Sequence, residues 1–142
     1  MTALSGLKLR LPPGLQRLKF MVAGENAYGR RLVAEILKGL HLSVMPETEQ
    51  PYLKNDLGQK PDIILWSWTR HRFDALERLM AQCPLSPPAV VLLIHAPSAT
   101  IVEQAVGMGA TCVIAKPFSQ QVLLDHLALA ARARLQDSRV ML

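Results

Sequence analysis

Short apolar runs alternate with longer stretches of helical periodicity along this 142-residue chain, and that alternation constrains its fold more than any other feature. The clearest strand candidates are Asp62–Trp66 and Ala89–Ile94, in which the apolar residues are consecutive. Consecutive apolar residues are typical of strands that are covered on both faces, as in a parallel sheet flanked by helices. The sequence therefore predicts a doubly wound α/β fold, with five parallel strands in one sheet between two layers of helices.

The other predicted elements complete five strand–helix units. Three further strands are predicted over Leu18–Ala23, Leu42–Met45 and Thr111–Ala115. Helices are predicted after Asn26, within residues 48–59, over about 70–82, over about 98–108 and over about 119–135. Asn26 and Ser119 are expected to cap their helices, and Gly109 is expected to end the fourth. The first and last helices are predicted to face the core with Leu32, Val33, Ile36, Leu37 and Leu40, and with Leu123, Leu124, Leu127, Ala131 and Leu135.

The excess positive charge lies at the two ends of the chain. The net charge is +5, but residues 20–131 hold nine basic and ten acidic side chains. We expect a basic tail over residues 1–17, one domain over residues 18–131, and the end of the last helix with a short tail over residues 132–142. Because the body of the domain is nearly neutral, we do not expect specific binding to nucleic acid.

Composition excludes several other classes of protein. The longest apolar run, Ala89–Ile94, is too short to cross a bilayer, so we expect no membrane span. Lys8 and Arg10 interrupt the N-terminal apolar residues, and we expect a cytoplasmic domain without a signal peptide. Cys83 and Cys112 are too few for a disulfide framework or a metal cage. We therefore expect neither a metal site nor a cofactor.

Three stretches carry a likeness to a known family. They are Lys19–Asn26, Pro61–Ser67 and Gly109–Phe118, and the last is the most specific because Gly-Ala is followed at this spacing by Lys-Pro-Phe. Together they make residues 18–130 resemble a response-regulator receiver domain, the CheY-like phosphorylation module of bacterial two-component signalling. The resemblance implies a flavodoxin-like, three-layer (βα)5 sandwich with its site at the carboxyl ends of the strands.

The family's chemistry needs several groups in one pocket. A carboxylate at the end of the third strand takes up the phosphoryl group, and an acidic pair after the first strand helps to hold Mg²⁺. A lysine after the fifth strand contacts the phosphoryl oxygens. A hydroxyl after the fourth strand and an aromatic residue in the fifth relay the change to the surface.

This chain retains little of that set. The resemblance places Lys116 at the lysine position, before Pro117 with a candidate cis peptide bond, and Glu25 at the second acidic position. Other residues stand at the remaining positions: Gly24 for the first acid, Ser67 for the phosphoacceptor, Ile94 for the hydroxyl and Val113 for the aromatic. The resemblance thus implies a degenerate pseudo-receiver without the phosphoacceptor aspartate and with no catalytic residue.

The remnant pocket has two interpretations. Without the aspartates, Lys116 lacks negative partners, so a Glu25–Lys116 salt bridge would close the site. Alternatively, both residues lie on a solvated rim without contacting each other. An acyl phosphate cannot form without a carboxylate, and no base is evident that would activate the hydroxyl of Ser67.

The candidate residues for binding a partner protein are not among the chemical groups of the pocket. Trp66 is expected in the core, whereas Trp68 is expected in the following loop, either exposed to a partner or packed over the pocket. Val122, Leu129 and Ala133 cluster on the outer side of the last helix, which is a candidate contact face. The alternative is that these are scattered surface residues.

Two functions are compatible with these features. The first is a phosphorylation-independent interaction module that binds a histidine kinase, a regulator, an output protein or a second copy of itself through the last helix. The alternative is a sensor that binds a small ligand or anion in the vacated pocket near Lys116. Regulation of DNA binding through the basic ends is a weaker third hypothesis, and we do not expect an enzyme.

Overall fold

The computed structural model describes residues 14–51, 60–83 and 86–140, with side chains as far as Leu135. Its five strands are all parallel and lie in the order β2-β1-β3-β4-β5. The strands are β1 (Lys19–Gly24), β2 (Ser43–Val44), β3 (Ile63–Trp68), β4 (Ala89–His95) and β5 (Cys112–Lys116). The described helices are α1 (Ala27–Gly39), α2 (Phe73–Gln82), α3 (Ala99–Gly107) and α4 (Gln120–Val140), preceded by a 3₁₀ turn over Leu15–Arg17. The predicted doubly wound five-stranded fold is confirmed.

The sheet separates two apolar cores. Helices α1 and α4 cover one face, where the buried side chains include Phe20, Leu37, Leu65, Leu93 and Leu127. Helices α2 and α3 cover the other face, where the buried side chains include Ile64, Trp66, Leu76, Leu92 and Ala105. Successive strand residues alternate between these two cores, which explains why the strands are apolar at consecutive positions.

The helix ends follow the predicted local signals. Asn26 caps α1, since its side chain accepts a hydrogen bond from the amide of Gly29 at 3.0 Å. Ser119 caps α4 in the same way through the amide of Val122 at 3.1 Å. Gly109, with φ +119°, follows the end of α3. A side-chain acceptor satisfies an amide that would have no partner in the first helical turn.

Several predicted boundaries differ from the structure. β2 spans only two residues instead of the four predicted, and β3 extends two residues beyond the predicted end at Trp66. Leu15 is fully buried, so the packed part of the chain begins before the boundary predicted at residue 18. Of the helix predicted within residues 48–59, residues 52–59 lie outside the described residues, and Thr48 instead forms a parallel bridge with Ala23.

Two residues predicted for the core are largely exposed. Leu32 of α1 is 49% exposed because it lines an open pocket, and Leu135 of α4 is 40% exposed. At about 1.5 Å per residue, the 21 residues of α4 are longer than the strands beneath them, so its last turns pass the end of the sheet.

None of the helices in the described part of the chain is long and apolar enough to cross a membrane.

We expect Leu127→Ala and Leu129→Ala to differ sharply, although the two residues lie two positions apart on α4. Leu127 is fully buried, so its truncation should lower the free energy of unfolding by about 2–5 kcal/mol. Leu129 is 51% exposed, so the same change should alter stability by no more than about 0.5 kcal/mol. Urea unfolding followed by circular dichroism measures both. Equal losses would contradict the orientation of α4.

Candidate functional site

The carboxyl ends of four neighbouring strands form one edge of the sheet. In the strand register Gly24 lies beside Ser67, Ser67 beside Leu93, and His95 beside Lys116. Parallel strands end at the same edge, so residues that are far apart in sequence become neighbours there, and ligands of such folds bind at this edge. This register brings Gly24, Ser67 and Lys116 to the same edge of the sheet.

Lys116 and Ser67 form the central contact of this edge. The Lys116 Nζ donates a hydrogen bond to the Ser67 Oγ at 2.8 Å and a longer one to the carbonyl oxygen of Trp68 at 3.4 Å. Lys116 is partly buried, and the resulting desolvation lowers the pKa of its ammonium group below the ordinary value. The Lys116–Pro117 peptide is cis, as predicted.

The predicted Glu25–Lys116 salt bridge is wrong. The Glu25 Oε1 instead accepts a hydrogen bond from the Arg72 Nη1 at 2.8 Å, and the Arg70 Nε lies 3.7 Å from the same oxygen. Both arginines lie in the loop after β3, next to the end of β1. Two guanidinium groups with several fixed donors bind this carboxylate in place of one ammonium group that already has two acceptors. In the sequence, the feature that could have indicated these partners of Glu25 is the Arg-His-Arg triplet at residues 70–72.

Lys116 has no acidic partner within the described part of the chain. Among the described residues no carboxylate lies within 4 Å of its Nζ, whereas the arginines around Glu25 and Glu47 all have one. The site therefore contains an ammonium group that is partly withdrawn from water and whose polar contacts are neutral oxygens.

Gly24 stands at the first acidic position of the resemblance, and the structure leaves no room there for a side chain. Its φ is +154°, and a Cβ at this position would lie 2.9 Å from the Ser67 carbonyl oxygen and 3.2 Å from the Ser67 Cβ. The Gly24 carbonyl oxygen also accepts a hydrogen bond from the Arg30 guanidinium. An acidic residue at position 24 would need β1 and β3 to move apart.

Trp68 is not a surface residue, so of its two predicted positions the one exposed to a partner is wrong. It is 2% exposed and packs edge-on against Trp66 and Phe73, with ring centroids 5.5 Å and 5.4 Å away. Because β3 continues to Trp68, the indole ring lies on the same face of the sheet as Trp66, two residues earlier, and is covered by α2. Ile94, at the hydroxyl position of the resemblance, is buried in the same core.

A cavity of about 290 Å³ lies next to the Lys116–Ser67 contact. Its walls come from α1, the end of β3, β4 and the segment between β5 and α4. Most of its lining is apolar. The apolar side chains are Leu32, Val33, Ile36, Leu93 and Phe118, and the polar residues are Asn26, Ser67, Thr69 and Lys116.

The described residues offer little to a metal ion. No cluster of three or more His, Cys, Asp or Glu side chains that would hold one is found among them. At the pocket edge, the Glu25 carboxylate is held by Arg72 instead. Mg²⁺ is bound through carboxylate oxygens in proteins, so the residues present here do not fit a magnesium site.

The outer side of α4 is a separate feature. Val122 is 38% exposed and Leu129 is 51% exposed, while Ala133 is half-buried. At 100° per residue these three positions fall within an arc of about 40°, opposite the buried stripe. Val122 and Leu129 are thus exposed on one outer side of the helix, and the use of this side, with Ala133, as a contact face stays a prediction.

No family model matches the sequence, and no curated protein matches it. Solved structures do match. A receiver domain (CheY-like) from Methanospirillum hungatei is 13% identical with a TM-score of 0.69, over 84% of this chain and 98% of the other. The BeF3-activated DrrB receiver domain from Thermotoga maritima is 16% identical with a TM-score of 0.63, over 84% and 97%.

A third similar structure is the receiver domain of the Saccharomyces cerevisiae response regulator Ssk1, crystallised with the histidine phosphotransfer protein Ypd1. It is 10% identical with a TM-score of 0.66, over 82% of this chain and 90% of the other. At these identities the likeness establishes the fold: the chain has the CheY-like α/β fold of receiver domains, along nearly their whole length.

We expect Gly24→Ala to lower the free energy of unfolding by about 1–3 kcal/mol, because the backbone conformation and the Ser67 carbonyl both oppose a Cβ. Gly107→Ala is the matched control. It lies in α3 with open space around it, so alanine should leave stability unchanged or raise it by up to about 1 kcal/mol. Thermal unfolding of both variants measures this. An unchanged Gly24→Ala protein would mean that position 24 accepts a side chain.

Proposed function

We propose that this chain is a pseudo-receiver: a cytoplasmic regulatory module of bacterial two-component-type signalling that works without phosphoryl transfer, by binding another signalling protein. The observation that carries the proposal is the contact between Lys116 and Ser67. The residue at the phosphoacceptor position is a hydroxyl, and the lysine that would neutralise a phosphoryl group binds that hydroxyl directly.

The chemistry of the pocket supports this proposal. Transfer to an aspartate forms an acyl phosphate, and a serine has no carboxylate for that reaction. A serine nucleophile is usually activated by a carboxylate or an imidazole, and among the described residues neither contacts the Ser67 Oγ, whose hydrogen-bond partner is the Lys116 Nζ. Glu25 is engaged by Arg72, and position 24 has no side chain, so the acidic pair that would help to hold Mg²⁺ is missing.

The outer side of α4 supports the binding part of the proposal. Val122 and Leu129 are exposed on one line of α4, the longest described helix, and neighbouring exposed apolar residues are typical of a contact face. The receiver domain of Ssk1 was crystallised with a phosphotransfer protein, which shows that the same fold forms such a complex in that case. The partner we propose is a histidine kinase, a regulator, an output protein or a second copy of this chain.

The phosphorylation-independent part is tested with acetyl phosphate and Mg²⁺. We expect intact-mass spectrometry to show no phosphorylated protein, while a receiver domain with the complete acidic set is modified in parallel. Mg²⁺ with beryllofluoride should leave the tryptophan fluorescence flat, although Trp68 lies next to Ser67 and its carbonyl oxygen contacts Lys116. Phosphorylation of this chain would contradict the proposal.

The contact face is tested by a charge on α4. Leu129→Lys should weaken binding at least tenfold to whichever purified kinase, regulator or self partner binds the unmodified chain, because an exposed apolar anchor is lost. Gln121→Lys, on another side of the same helix, should change affinity less than about twofold. Calorimetry, or sedimentation for self-association, measures both. Equal effects, or binding to none of these partners, would count against the proposed face.

A further inference from the structure

The cavity beside Lys116 combines three features that the interaction role of α4 does not use. It has a partly buried ammonium group that contacts no carboxylate among the residues described, a neighbouring hydroxyl, and a wall of five apolar side chains. We propose that this cavity binds a small amphipathic carboxylate, whose carboxylate group contacts Lys116 and Ser67 and whose hydrocarbon part lies against the apolar wall.

The polar end of the cavity is formed by the hydrogen-bond donors of Lys116 and Ser67. An ammonium group has three N–H donors, and in Lys116 two of them contact the Ser67 Oγ and the Trp68 carbonyl oxygen. The hydroxyl of Ser67 accepts from Lys116 and retains its own O–H donor. Among the described residues neither the third N–H of Lys116 nor the O–H of Ser67 has a hydrogen-bond partner, so both can donate to the two oxygens of a carboxylate. Binding would also place a negative charge beside a desolvated cation that has no carboxylate within 4 Å in the described part of the chain.

The apolar wall defines the other half of the ligand. Leu32, Val33, Ile36, Leu93 and Phe118 line the cavity, and Leu32 stays 49% exposed beside it. A molecule that covers these side chains removes their apolar surface from water, as the walls of small-molecule sites generally do. At about 290 Å³, the cavity lies at the small end of the range of about 300–1,000 Å³ that is typical of small-molecule sites, which favours a small ligand.

The charge of the site selects a monoanion. Lys116 is the only charged residue that lines the cavity within the described part of the chain. A carboxylate carries one negative charge, which this lysine neutralises. A phosphate monoester carries about −1.5 to −2 at pH 7, so part of its charge would remain unpaired in a half-buried site. The site therefore differs from a phosphoryl or metal–phosphoryl site in both charge and hydrophobicity.

The proposal stands independently of the interaction role. It depends on the cavity between α1 and the end of β5, whereas the proposed contact face lies on the outer side of α4. Failure of ligand binding would leave the contact face untouched, and failure to bind a protein partner would leave the ligand site untouched.

Hexanoate tests the proposal, with eight non-hydrogen atoms and one carboxylate. Its titration into the isotope-labelled chain should shift the amide signals of Val33, Leu93 and Lys116 with a saturable response. Hexanol has the same chain without the charge, and acetate has the charge without the chain. Each should bind at least tenfold more weakly than hexanoate, because each loses one half of the interaction.

Two pairs of variants separate the two halves. Lys116→Met should weaken hexanoate at least tenfold while hexanol changes less than twofold, and Lys19→Met, on an exposed lysine at the opposite end of the sheet, should change neither. Leu32→Ser should weaken hexanoate several-fold and leave acetate unchanged, with Val106→Ser on the exposed side of α3 as its control. Amide spectra of the free variants show that each is folded.

Three results would overturn the proposal. The first is equal binding of hexanol and hexanoate, which would make the cavity a purely apolar site. The second is tighter binding of inorganic phosphate with Mg²⁺ than of hexanoate, which would return the site to phosphoryl chemistry. The third is unchanged hexanoate affinity in folded Lys116→Met, which would place the carboxylate elsewhere.

Discussion

The structure depends on a parallel sheet that is covered on both faces. Since α1 and α4 cover one face and α2 and α3 the other, the middle strands contribute nothing but core along most of their length. Polar chemistry is confined to the residues at the strand ends, where Ser67 and Lys116 meet. The residues at these strand ends determine the chemistry of this edge, while the apolar residues of the strands hold the sheet between its helices.

The contacts at the strand ends show which charged groups are paired there. With no side chain at position 24, β1 and β3 approach closely, and the Arg30 guanidinium binds the Gly24 carbonyl oxygen. Glu25 is neutralised by arginines from the loop after β3. The positive charge of Lys116 is thereby the one left without a counter-ion at this edge among the described residues. Arg70 and Arg72, not Lys116, contact the Glu25 carboxylate. A positive charge at the pocket that contacts no carboxylate favours the binding of an anion.

The fold could be predicted because its signals are local. Consecutive apolar residues in Ala89–Ile94 indicate a strand covered on both faces, and Asn26 and Ser119 cap helices through residues only three positions away. The site is harder to predict from the sequence because its contacts join residues that are far apart along the chain. The Glu25–Arg72 pair joins residues 47 positions apart, and no local pattern ranks Arg72 above Lys116. The sequence pattern ends β3 at Trp66 and so predicts Trp68 in a loop, whereas the strand continues for two residues and places the Trp68 ring in the core.

The cavity and the outer face of α4 are physically connected through one short segment. Phe118 lines the cavity, Ser119 caps α4, and Val122 opens the exposed apolar line of that helix. An occupant that packs against Phe118 would therefore contact the residue next to Ser119, the cap of α4. If a ligand and a partner both bind, linkage requires that any effect of the first on the affinity of the second is matched by an equal effect in the reverse direction. The proposed ligand would act at the carboxyl ends of the strands, where Ser67 and Lys116 meet.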